Sequence, residues 1–187
     1  MSEIHIIENI FTKEERRKIL EDSQRFFVDG DTMSIERFGE PGRYPGKQTY
    51  PTIHLISSFN WVHKRAIERV NNEIKLNLKV VRSWFNWSDG RKEYLNWHDH
   101  KETGDYAAVY YLKTIPFFNS GTLFKEYGFV RAPQNSIIIF PSHFIHSAPI
   151  SFLRYDRYSM AFDLRFEYRE DILTLDESYD GRYFNIG

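Results

Sequence analysis

The stretch YLNWHDHKETGDYAAVYYL, Tyr94 to Leu112, carries His98 and His100 either side of Asp99, just ahead of a run that reads as a β-strand. Side chains alternate along a strand, so Tyr94, Asn96, His98 and His100 share one face, and Leu95, Trp97 and Asp99 share the other. Two imidazoles projecting from one side of a strand suit a divalent transition metal, because imidazole is a good ligand for iron, zinc, copper and nickel. Further histidines, His143 and His146, follow in IIIFPSHFIHSAP. Arg157 comes eleven residues after His146 and opens RYSMAFDLRF, on the face it shares with Ser159, Ala161, Asp163 and Arg165. The chain has no cysteine, so thiolate ligands, disulfides and a cysteine nucleophile are excluded and any metal is held by nitrogen and oxygen. Taken singly, each residue has a plainer reading: a hydrogen-bonded histidine, or an arginine paired with an acid such as Asp163. Their joint order is what points to chemistry.

These residues need elements to hold them. FTKEERRKILEDSQRFF opens with Thr12 and, three residues on, Glu15, the spacing of a capping box, and continues helically through Ile19 and Phe26. SFNWVHKRAIERVNNEI sets Val62, Ala66, Val70 and Ile74 four apart, the stripe of a second amphipathic helix. Both helices are expected to buttress a sheet. Residues 30–52 collect Gly30, Gly39, Gly42, Gly46, Pro41, Pro45 and Pro51 among polar residues and read as a loop long enough to act as a lid. From residue 79 the texture is strand-like: KVVRSWFNW, EYLNWHDH, YAAVYYL, GTLFKEYGFV, NSIIIFPS and RYSMAFDLRF, with turn residues between them. Short strands at this spacing, in a chain with 16 Phe, 12 Tyr and 4 Trp, point to a mainly β sandwich or barrel. In the last run Tyr158, Met160, Phe162, Leu164 and Phe166 make a large apolar face opposite the one that begins at Arg157. Tyr110 and Tyr111 must leave opposite faces of their strand, so one of them is expected to pack in the core. No repeat or linker interrupts the 187 residues, and one domain is expected, with a helical N-terminal region over 1–78, a barrel core over 79–167 and an extension over 168–187.

In this order the motifs resemble those of the 2-oxoglutarate and Fe(II)-dependent dioxygenases of the prolyl-hydroxylase-like group, in particular compact bacterial and phage members. The likeness runs from about Ser83 to Phe166: Trp84-x-Asn86, His98-x-His100, Val109-Tyr110-Tyr111, the Ser-Gly-Thr-Leu-Phe segment ending at Phe124, Phe140-Pro141-Ser142, His146 and Arg157-x-Ser159. The resemblance implies a double-stranded β-helix, or jelly roll, with two supporting N-terminal helices and Fe(II) at one end of the barrel. It implies His98 and His146 as ligands, and Arg157 as the partner of the distal carboxylate of 2-oxoglutarate, with Tyr111, Ser159 and Asn86 lining the co-substrate pocket. A guanidinium, unlike an ammonium, offers that carboxylate a bidentate fork. The chain departs from the family's usual two-histidine, one-carboxylate triad, because His100 stands where the carboxylate is expected. Either His98, His100 and His146 form a three-nitrogen site, or a carboxylate such as Asp99 replaces one ligand, which strand alternation opposes unless a bulge re-aims it. The implied activity is hydroxylation of a C–H bond in a small-molecule or peptide substrate, consuming O2 and 2-oxoglutarate and releasing succinate and CO2.

Charge is balanced, 25 basic against 26 acidic residues, so no broad attraction to phosphate backbones or anionic lipid is expected. Nucleic-acid demethylation fits poorly as well, because the second arginine that marks that subfamily, six residues after the first, is here Asp163. No apolar run approaches the roughly eighteen residues of a membrane span, and a soluble, cytoplasmic protein is expected. The rival reading is a cupin-like metal-binding module without oxygenase activity, which also carries His-x-His and would use an acid such as Asp105. It leaves Arg157 unexplained, and His146 lies thirteen residues after Pro133, too far for that pattern.

Overall fold

The computed structural model describes residues 4–42, 46–89, 96–115, 120–150 and 155–168, apart from the side chains of residues 37 and 38. In chain order the regular elements are β1 (His5–Glu8), α1 (Lys13–Ser23), β2 (Val28–Asp29), α2 (Gly30–Phe38), β3 (Lys47–Gln48) and α3 (Asn60–Ile74), followed by strands alone. These are β4 (Leu78–Ser88), β5 (Tyr106–Lys113), β6 (Gly121–Phe124), β7 (Gly128–Arg131), β8 (Ser136–Pro141), β9 (His146–Ser147) and β10 (Arg157–Phe166). The capping box forms as expected: Thr12 Oγ1 accepts from the Glu15 amide at 3.2 Å, and the Thr12 amide donates to Glu15 Oε2 at 2.8 Å. Along α3 the stripe Val62, Ala66 and Val70 is buried.

Seven strands make one sheet in the order β1-β8-β5-β10-β4-β3-β2, and three make a second, β7-β6-β9. Every pairing between named strands is antiparallel. The alternation of β5 and β8 then divides the interior in two. Met160, Phe162 and Leu164 enter a core shared with Val62, Ala66 and Val70 of α3 and with Tyr110. The opposite face of the large sheet, through Ala107, Tyr111, Ile138 and Phe140, packs against Phe124 and Val130 of the small sheet. Tyr110 and Tyr111 thus leave opposite faces, one into each core. Two facing antiparallel sheets with helices behind the larger one constitute the expected jelly roll.

Three expectations change. Residues 30–52 are not one loop: Asp29 caps α2 through its side chain, which accepts from the Asp31 amide at 3.0 Å, and Gly39 ends the helix at φ 76°. A helix of 9 residues framed by glycines offers too few turns for its periodicity to outweigh the turn signal. The segment 1–78 is not helical alone, since β1, β2 and β3 all pair into the large sheet. Residues 96–100 form no regular strand, being held by a single bridge between His98 and His146. Tyr94, Leu95 and the extension beyond Tyr168 lie outside the described residues. Among the described residues no helix is long and apolar enough to cross a membrane.

Candidate metal centre and anion pocket

The histidine cluster is built by backbone pairing between segments far apart in sequence. The His98 amide donates to the His146 carbonyl at 3.1 Å, the His146 amide returns the bond at 2.9 Å, and the His100 amide donates to the Ser142 carbonyl at 2.8 Å. Residues directly opposite in an antiparallel pair project from the same face. His98 and His146 therefore lie side by side, with ring centroids 4.4 Å apart, and His100 joins them two residues on, 5.2 Å from His146. One nitrogen from each of the three rings can be chosen so that all lie within 4.8 Å of one another. On its other side His146 pairs with Phe124 of β6.

Second contacts set the tautomers. His98 Nδ1 lies 2.9 Å from the Asn96 carbonyl and His146 Nδ1 3.0 Å from the Phe144 carbonyl. A carbonyl only accepts, so Nδ1 carries the proton in both rings and Nε2 keeps the lone pair a metal needs. Burial, reinforced by His98 and His100 beside it, lowers the His146 pKa from 6.5 to about 2, so this ring is neutral and ready to ligate at any ordinary pH. The site is graded: His146 is buried, His100 half-buried and His98 exposed, which opens it to solvent on the His98 side. Asp99 does not belong to the cluster, and its Oδ2 lies 3.5 Å from Lys101 Nζ. Asp105 is committed elsewhere, its Oδ2 accepting from the Phe166 amide at 3.0 Å. His143 is exposed and set edge-on to Phe144, outside the cluster.

The second constellation lies on the same inner face. Register places Asn86, Ser159 and Tyr111 in one row across β4, β10 and β5. Arg157, 9% exposed, donates from Nη1 to Ser159 Oγ at 3.2 Å and from Nη2 to the Gly121 carbonyl at 3.4 Å, with its guanidinium carbon 5.4 Å from the centre of the Tyr111 ring. Burial depresses the Arg157 pKa, but from so high a starting value that the charge persists, and burial pushes the Tyr111 phenol up to about 12, so it remains a hydroxyl. Tyr111 Oη meets Thr122 Oγ1 at 2.6 Å. Asp163 lies not against Arg157 but between His100 and Arg82, with Arg82 Nε 3.7 Å away.

Trp84 and Thr122 stand in the sequence motifs without a role, and sequence reading did not find the stacking of Trp84 on His100 or the contact of Asp163 with His100. Alternation does place Thr122 on the same side of β6 as Phe124, which faces His146. Two strand positions span roughly 7 Å, so β6 carries one side chain beside the imidazoles and one beside Tyr111 at that spacing. The cluster and the arginine pocket are neighbours along a single strand.

No family model matches the sequence, and no curated protein does. Solved structures do match. The non-heme α-ketoglutarate-dependent epimerase SnoN from nogalamycin biosynthesis superposes with a TM-score of 0.63 at 9% identity, covering 88% of this chain and 78% of its own. HygX from Streptomyces hygroscopicus, with nickel and 2-oxoglutarate bound, gives 0.58 at 15%, covering 89% and 83%. The viral collagen prolyl hydroxylase of Paramecium Bursaria Chlorella virus-1 gives 0.59 at 12%, covering 88% and 90%. At such identities the likeness is one of fold: this chain has the double-stranded β-helix of those proteins.

Proposed function

We propose that this chain, as one domain, is a 2-oxoglutarate- and Fe(II)-dependent oxygenase that hydroxylates a C–H bond of a small-molecule or peptide substrate. The observation that carries the reading is a convergent imidazole cluster and a buried arginine ringed by hydroxyls, linked through β6: Phe124 pairs with His146, and Thr122 two residues before it meets Tyr111 beside Arg157. That arrangement suits a short dicarboxylate whose keto-acid end faces the histidines and whose far end faces Arg157. The fold neighbours that hold iron or nickel with 2-oxoglutarate support the same assignment. A metal-binding cupin-like module gives no role to the arginine pocket.

The donors fit iron. His98, His100 and His146 would hold it through nitrogens whose ring partners already carry the proton, and imidazole is an accepted ligand of Fe(II). When bound, iron with O2 supplies the oxidation that couples loss of CO2 from 2-oxoglutarate to attack on the substrate C–H bond. The chain's own residues do the rest. Arg157 binds and orients the distal carboxylate by a charge-assisted fork. Tyr111, aimed by Thr122, offers a hydroxyl to the co-substrate, while Ser159 and Asn86 complete the row beside it. Phe124, Phe140 and Ile138 pack with Tyr111 in one buried apolar cluster, which keeps water from that side of the site. Three neutral ligands leave more positive charge at the metal than a carboxylate-bearing set would, which strengthens its hold on an anionic co-substrate.

Anaerobic titration with Fe(II), then with 2-oxoglutarate, followed by succinate release in air, tests the proposal. One iron per chain is expected, with loss of binding in His146→Ala and His98→Ala and retention in His143→Ala. Normal iron affinity in both of the first two variants would overturn it.

A further inference from the structure

The three imidazoles differ in what stands behind them. His98 and His146 each donate Nδ1–H to a neutral main-chain carbonyl. His100 Nδ1 instead lies 2.8 Å from Oδ1 of Asp163, a side chain 1% exposed in the middle of β10. Asp163 is the only buried carboxylate among the described residues. Burying a carboxylate without a partner is strongly unfavourable, so a position that keeps one needs cations or donors beside it. Arg82 Nε, 3.7 Å from Oδ2, is one. Oδ1 has no well-aligned donor among the described residues, and the imidazole N–H, already within ion-pair range, is the group placed to satisfy it. Trp84 stacks on the same imidazole with centroids 5.7 Å apart and planes 28° off parallel, which limits how far the ring can turn.

We propose that Asp163 is a positioning residue of the metal centre. It holds His100 as the Nδ1–H tautomer with Nε2 turned to the metal, and sets a full negative charge one ring behind a ligand set that is itself neutral. The carboxylate missing from the ligands is moved outward, behind His100, and still acts on the metal through the ring. A carboxylate accepting from Nδ1–H makes Nε2 a stronger donor than a carbonyl does. Arg82 draws on the same charge and weakens this effect.

The inference rests on the proposed metal site, and the test separates the two. Co(II) and Fe(II) affinity by calorimetry, the Co(II) absorption bands, the His100 tautomer by nitrogen NMR in metal-free protein and the melting temperature are compared for wild type, Asp163→Asn, Asp163→Leu and Arg82→Gln. Asp163→Asn keeps an acceptor and removes the charge. It is expected to weaken metal binding about 10-fold or more, to shift the Co(II) bands and to relax the tautomer, with a larger loss in Asp163→Leu. Arg82→Gln is expected to tighten binding several-fold, the opposite sign. A structural role alone would move the melting temperature and leave affinity and spectrum of the folded protein unchanged, which overturns the proposal. So does loss of metal by Asp163→Asn as complete as that of His146→Ala while His100→Ala retains it, because Asp163 would then be the ligand. If the Asp163 variants do not fold, unchanged affinity and bands in Arg82→Gln overturn it. Absence of metal uptake by wild type overturns both readings, whereas normal uptake indifferent to position 163 overturns this one only.

Discussion

Arg157 carries a full charge into a nearly dry interior, and what surrounds it is hydroxyl and carbonyl: Ser159, Tyr111, Thr122 and the Gly121 oxygen. A hydrogen bond to a charged group contributes about 1.5–3 kcal/mol, and a bidentate pair in a desolvated pocket lies toward the upper end. Arg157→Leu is therefore expected to weaken 2-oxoglutarate binding by at least ~10-fold, about one decade per 1.4 kcal/mol, with iron affinity nearly unchanged. Arg157→Lys should recover little, since an ammonium lacks the fork. Calorimetry of anaerobic Fe(II)-loaded protein reads both. Thr122→Val should cost a smaller, few-fold amount, because it removes only the partner that aims the Tyr111 hydroxyl. The residues legible in the sequence were those set two apart on one segment: His98 with His100, and Arg157 with Ser159. The contacts of Thr122 with Tyr111 and of Trp84 and Asp163 with His100 were not, because each depends on which segments become neighbours, and alternation within one strand says nothing of that.

Elements divide the same way by length. The capping box of α1, the stripe of α3 and the alternation of β10 each extend over enough residues for a period to show, whereas α2, β2, β3 and β9 are stated mainly by their contacts. Gly46 illustrates how much a short element depends on one such contact. It sits at φ 79°, its carbonyl accepts from the Gly30 amide at 2.8 Å, and a Cβ there would collide with the Trp87 carbonyl oxygen. Gly46→Ala is expected to lift β3 from the edge of β4, seen as loss of amide protection at Lys47 and Gln48. Gly39→Ala, at φ 76° with open space around it, should cost only about 1 kcal/mol of backbone strain. The joint between α3 and β4 makes a pH prediction. His63 donates Nδ1–H to the Phe59 carbonyl and accepts the Ser83 hydroxyl at Nε2, both at 2.7 Å, and burial lowers its pKa from 6.5 to about 4. The folded protein thus keeps His63 neutral where the unfolded chain takes up a proton. Stability is fully present above about pH 6.5 and declines as pH falls toward 4, on the order of 1 kcal/mol per pH unit per such histidine. His54, also lowered to about 4 by burial, acts in the same window. Denaturant midpoints of metal-free protein should be flat from pH 7 to 8 and fall below 6.5, with a shallower fall in His63→Gln.

At the scale of the molecule, β10 serves packing and site alike, with Met160, Phe162 and Leu164 in the core shared with α3 and Arg157, Ser159 and Asp163 buried on its opposite face. The strand texture announced a barrel, yet its closure was not readable: β1 takes the far edge of the large sheet beside β8, and the Phe11 amide reaches Asn135 Oδ1 at 3.0 Å across most of the chain. Such long-range pairing is decided by total burial, which no local pattern encodes. Shared membership in β10 gives binding and folding a common element, and that has a measurable consequence. Under the proposed function, metal and co-substrate bind only the folded barrel, which brings His146 beside His98 and His100 across dozens of residues of chain, an arrangement the unfolded chain lacks. A ligand present at a hundred times its dissociation constant stabilises the folded state by about 2.7 kcal/mol. For a domain of this size each kcal/mol moves the melting temperature by roughly 2–4 °C, so saturating co-substrate over the metal-loaded protein should raise it by roughly 5–10 °C. Arg157→Leu should abolish the co-substrate increment at the same concentration and keep the metal increment, while His146→Ala should lose both. A co-substrate increment that survives undiminished in Arg157→Leu would place the carboxylate somewhere other than the row of Asn86, Ser159 and Tyr111.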